Sequence, residues 1–151
     1  QWLNWGLRIV ATAGTDAHGP APASVRPGFN VVYAARRDEA SILRAIARGR
    51  LYLSSGPELI LSGRCGDDNV MMGDEMPKDA TTLCARWNNV PPNARLRLVA
   101  NGSTVNEDLA TPAGERTWQL EEGAVQWCVA ELRAEDDELL AITNPVYFCA
   151  D

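Results

Sequence analysis

From residue 58 onward the chain alternates short β-prone runs with turn residues, and that rhythm constrains the fold more than any other feature. Segments 58–62, 81–88, 94–100, 115–120, 124–133 and 139–148 are separated by clusters of Gly, Pro, Asn or Asp. Such spacing predicts a small antiparallel, sandwich-like β domain. Ala94, Leu96, Leu98 and Ala100 share one parity and Arg95 and Arg97 the other, so one face of that strand is apolar. Asn101-Gly102 marks a tight hairpin, because both central residues of a type I′ turn need φ > 0. Trp87, Trp118 and Trp127 are expected to anchor the core, and Glu135-Asp136-Asp137-Glu138 to form a turn tip.

The first 57 residues read differently. Trp2, Leu3 and Trp5 before Gly6 look like a helix end with a left-handed stop. Leu7 to Ala13 is β-prone and is expected to be a buried strand. It runs into Gly14-Thr15-Asp16-Ala17-His18-Gly19-Pro20, then a Pro-rich loop to Pro27-Gly28, then a second strand-like run over 29–34. Asp38 is an N-cap for a helix over about 39–48, with Ile42, Leu43 and Ile46 on one side and Gly49 at its end. Leu51-Tyr52-Leu53 is another short strand. The expectation is therefore an α/β tail over 1–57 joined near Ser54-Ser55-Gly56-Pro57 to an all-β unit over 58–151.

Charge divides at the same place. Residues 1–57 carry seven arginines against three acids (+4), and residues 58–151 carry seven basic residues against seventeen acids (−10). The acidic balance argues against nucleic-acid binding, which rests on Lys and Arg neutralising phosphate. No apolar run approaches the roughly 18–20 residues of a membrane span. At 46% hydrophobic and 23% charged, the chain has the means to bury a core. The opening Gln-Trp-Leu-Asn-Trp suggests a piece of a longer polypeptide; with any leader lying upstream, a cytoplasmic setting is expected and a periplasmic one stays open.

The chemistry centres on Asp16 and His18, the single histidine. In extended backbone, residues i and i+2 face one side, so a carboxylate and an imidazole can address one centre where a strand meets a Gly-rich loop. Neutral imidazole with carboxylate suits Zn, Mn or Fe. The bland alternative, a histidine with an ordinary surface or core role, stands beside it, because so short a pattern arises by chance. A metal also wants about three protein ligands, and no further His or Cys lies in the first unit. Arg26 is a weak candidate for an anionic substrate group, against a solvated loop residue.

Residues 6–19, Gly-Leu-Arg-Ile-Val-Ala-Thr-Ala-Gly-Thr-Asp-Ala-His-Gly, resemble the last metal-binding segment of the PHP (polymerase and histidinol phosphatase) superfamily of metallohydrolases. The stretches 42–52, Ser55-Gly56-Pro57 and Ile142-Thr143-Asn144-Pro145-Val146-Tyr147 are similar to its carbaryl-hydrolase-type branch. The resemblance implies a distorted (β/α) barrel followed by a β-rich domain, with two or three divalent metal ions hydrolysing phosphate or related small-molecule esters. It gives Asp16 and His18 the final ligand pair. The family's early His-x-His motif and its intervening ligands have no counterpart here, which implies a fragment inactive alone. A non-catalytic β-sandwich module for binding or assembly is the alternative.

Other features read as structural. Cys65, Cys84, Cys128 and Cys149 lack Cys-x-x-Cys spacing. A Cys84–Cys128 bridge is conceivable, with buried thiols the commoner outcome. Asp67-Asp68-Asn69 with Asp74-Glu75 lacks a full calcium-loop pattern and is expected to be an exposed loop. Open strand edges would favour association into a homodimer.

Overall fold

The computed structural model describes residues 1–14, 18–19, 27–65, 68–77, 82–120 and 125–149. Among these, one α-helix and twelve strands follow a 3₁₀ turn at Leu3–Trp5. They are β1 (Phe29–Val32), α1 (Glu39–Ala47), β2 (Leu51–Ser54), β3 (Glu58–Cys65), β4 (Asp68–Met71), β5 (Glu75–Met76) and β6 (Thr82–Asn88). Then come β7 (Arg95–Ala100), β8 (Ser103–Leu109), β9 (Gly114–Gln119), β10 (Trp127–Arg133), β11 (Leu139–Thr143) and β12 (Val146–Phe148). Eight strands form one sheet, in which β10 carries β7 and then β8 on one side, and β11, β2 and β1 on the other. The second sheet is β4-β3-β6-β9.

The expected α/β tail is overturned: the chain is all-β, 48% strand and 9% helical. The reason lies in the pairing. A barrel needs parallel strands joined by crossover helices. Here β1 and β2 are antiparallel, with Phe29 opposite Ser54 and Val32 opposite Leu51, and β2 is antiparallel to β11. Helix α1 lies between two antiparallel neighbours. Asp38 caps it as expected, accepting from the Ser41 N–H at 2.8 Å, but it buries only Ser41 and Ala45 and leaves Ile42 and Leu43 exposed. Ile46 is half-buried, so the expected Ile42, Leu43 and Ile46 face is split, with its last member alone turned partly inward.

The β portion follows its alternation. Leu96, Leu98 and Ala100 are buried while Arg95, Arg97 and Val99 are half-buried, and Asn101 and Gly102 both take positive φ (50° and 87°) at the β7–β8 hairpin. Leu59 and Leu61 of β3, Leu83 and Ala85 of β6 and Trp118 of β9 share one core with Leu96, Leu98, Cys128, Ala130 and Leu132 of the larger sheet. Trp87 packs half-buried at its margin. Trp127 is buried on the opposite face of β10 together with Val129, so this central strand is covered on both sides. Glu135–Glu138 lies between β10 and β11, where the Asp137 N–H donates to the Ala134 carbonyl.

The run 139–148 is two strands, not one. β11 pairs with β10 over Glu131–Arg133, and β12 pairs with it at Trp127–Cys128. The interval is bridged by Thr143, whose Oγ1 accepts from the Ala130 N–H at 3.0 Å. β8 and β4 fall where polar residues hid them from a reading of hydrophobic pattern. Arg50 and Asp74 make a bidentate ion pair at 2.9–3.1 Å, and Arg8 pairs with Glu75, so part of the basic excess of residues 1–57 meets the acidic remainder.

Cys84, Cys128 and Cys149 are free thiols, and no bridge joins Cys84 to Cys128. Burial pushes the Cys128 thiol up to about 12. Tyr52 is also pushed up to about 12, first by burial and then by Tyr33 and Glu58. Both groups resist ionisation when folded and ionise more readily when unfolded, so their contribution is whole below the unfolded values and is lost as pH rises through the folded ones. Stability is therefore expected to hold up to about pH 9 and then fall toward pH 12, by about 1.4 kcal/mol per pH unit for each titrating group. Urea midpoints measured against pH check this. A midpoint still flat at about pH 11 contradicts it.

Candidate functional site

Leu7–Ala13 was expected to be a buried strand. It is instead a largely exposed run laid on the sheet and held by side chains. Asn144, 1% exposed between β11 and β12, accepts from the Ala11 N–H at 2.8 Å and donates to the Ala11 carbonyl at 3.1 Å. Its amide also donates to the Leu51 carbonyl at 3.0 Å. Asn30 on β1 treats Ala13 the same way, accepting at 2.8 Å and donating at 2.9 Å. A side-chain amide carries one donor and one acceptor side by side and so imitates a neighbouring strand. Engagement of residues 11 and 13 from one side is the i, i+2 pattern of extended backbone.

The upstream end is pinned as well. Asn4 accepts from the Trp127 indole N–H at 2.8 Å and donates to the Asn101 carbonyl at 3.1 Å. Gly6 supplies the expected left-handed stop at φ 78°. The Arg8 guanidinium sits over the Tyr147 ring, 4.8 Å from its centroid, and the Tyr147 hydroxyl donates to the Ile9 carbonyl at 3.4 Å. Between this stretch and the sheet lies a groove of about 610 Å³, whose walls include Trp2, Leu3, Ile9, Trp127, Val129 and Ile142.

The clamped run leads directly to Gly14 and the Asp16–His18 pair. His18 is exposed. Asp16 and Arg26 lie outside the described residues. Among the described residues no three His, Cys, Asp or Glu side chains gather as a metal group, and no helix is long and apolar enough to cross a membrane. Of the acidic stretch Asp67–Glu75, Asp67 is outside the described residues, Asp68 and Asn69 belong to β4, and Asp74 is engaged by Arg50.

Neither clamp was singled out from sequence: Asn144 entered only through the family resemblance, and Asn30 not at all. A signal existed for Asn144. An amide in the apolar run Leu-Leu-Ala-Ile-Thr-Asn-Pro-Val is costly to bury without partners, and so implies that it has them. Comparison of the chain with protein-family models, curated proteins and solved structures found no match.

Proposed function

We propose that this chain belongs to a metal-dependent hydrolase acting on phosphate or related small-molecule esters, in which Asp16 and His18 contribute ligands to a divalent transition metal (Zn, Mn or Fe). The observation that carries the reading is the double asparagine clamp. Asn144 and Asn30 hold the backbone at residues 11 and 13, three residues short of Asp16. A ligand pair gains affinity when its support is rigid, since ordering it then costs less on binding. The donor set fits such an ion, because carboxylate with neutral imidazole suits these metals. When bound, such an ion brings the pKa of coordinated water toward about 7 and polarises the ester oxygen. The chain's own residues hold and orient; further ligands come from outside its described residues, and catalysis is not expected of the chain alone.

Calorimetric titration with Zn²⁺ tests the reading. Wild type is expected to bind one ion, and Asp16→Ala and His18→Ala each to weaken it by at least about tenfold, with unchanged thermal midpoints. Equal affinity in all three proteins overturns the assignment. The groove of about 610 Å³ against Trp127 and Val129 favours a second reading, a non-catalytic binding module. That reading takes over if the metal titration fails.

A further inference from the structure

The asparagine clamps use one edge of the Leu7–Ala13 run and leave the other outward. Ile9, Ala11 and Ala13 spend backbone groups on Tyr147, Asn144 and Asn30. The N–H and C=O groups of Arg8, Val10 and Thr12 have no hydrogen-bond partner among the described residues. In extended backbone these alternate groups point to the opposite side, so the run presents an unpaired β-edge. We infer that this edge pairs with the same edge of a second copy of the chain, as an antiparallel contact centred on Val10.

Three observations select that occupant. An edge of backbone donors and acceptors is matched by another extended strand, and a two-fold pairing about Val10 closes both copies with roughly six main-chain hydrogen bonds. The register sets Arg8 opposite Thr12, so arginine never faces arginine, and Arg8 is already neutralised by Glu75 in its own chain. The edge is also unguarded. The outer strand β8 carries Glu107 and Asp108, charges of the kind that deter edge pairing, whereas Leu7–Ala13 carries one charge and exposes Leu7 and Ile9 (50% and 36%). Antiparallel pairing sets the two Gly14 residues roughly 27 Å apart, so the contact does not join two Asp16–His18 pairs.

Sedimentation velocity and amide hydrogen exchange, run on the whole chain over a wide concentration range, test it. A monomer–dimer equilibrium is expected. The Arg8, Val10 and Thr12 amides should gain protection with concentration, while those of Ala11 and Ala13 stay protected throughout. Val10→Pro removes an outward N–H and none of the clamp bonds, and should weaken the dimer by about tenfold or more. A monomer at every concentration overturns the inference. So does a dimer in which the Arg8, Val10 and Thr12 amides exchange as fast as in dilute solution.

Discussion

Gly73→Ala is expected to destabilise the protein by about 4 kcal/mol, combining the cost of left-handed backbone with that of overpacking. Gly73 adopts φ 89°, and a Cβ there would lie 2.0 Å from the Arg48 carbonyl oxygen and 2.7 Å from the Gly49 carbonyl carbon. Both are backbone atoms, so no side-chain rotation relieves the clash. The Gly73 N–H also donates to the Pro145 carbonyl at 2.7 Å, so the end of α1, the β4–β5 turn and the β11–β12 bend meet at this glycine. The thermal midpoint should drop by roughly 8–16 °C. Gly56→Ala, where a Cβ meets nothing within 4 Å, serves as the near-neutral control. Equal midpoints for the two variants would show that the chain does not close on itself at Gly73.

Asn144→Ala is expected to cost about 3 kcal/mol, the sum of several modest hydrogen bonds made by one buried amide. Its side chain binds both backbone groups of Ala11 and the Leu51 carbonyl, so its loss frees the N-terminal run as well as loosening the β11–β12 bend. Asn144→Asp keeps the shape and the acceptor for Ala11 but turns oxygen toward two carbonyls, and should be no milder at neutral pH. Chemical denaturation gives the magnitude. Exchange at the Ala11 amide gives the location, since it should lose protection in both variants under conditions where the core amides of β10 keep theirs. Retained protection at Ala11 would mean that Asn144 does not hold the run.

What was legible in the sequence was local. The Asn101-Gly102 hairpin, the Asp38 cap, the Gly6 stop and the alternating face of β7 each depend on a few neighbouring residues, and each is present. Leu51-Tyr52-Leu53 was correctly strand, but whether β1 and β2 run parallel or antiparallel depends on partners far along the chain, and β2 finds β11 some ninety residues away. That long-range pairing replaced the α/β tail with an all-β fold. β8 was hidden because an outer strand gains little from apolar residues: Asn106, Glu107 and Asp108 sit in it without breaking it. The Leu7–Ala13 run was β-prone in fact, yet its partners are two side-chain amides instead of a strand, a substitution that hydropathy cannot register. Of the candidate site, the backbone leading up to Gly14 is held by the two amides and His18 is exposed, while Asp16 and Arg26 lie outside the described residues.

The most direct test of the metal reading is residue-resolved NMR during addition of Zn²⁺ to the whole chain. If Asp16 and His18 hold the ion, shifts should concentrate at Gly14, His18 and Gly19, while Ala11 and Ala13 keep their hydrogen-bonded amides. Shifts confined to the acidic turn at Glu135–Glu138, with the His18 imidazole unmoved, would contradict the assignment and return the function of the chain to its β-sheet surfaces.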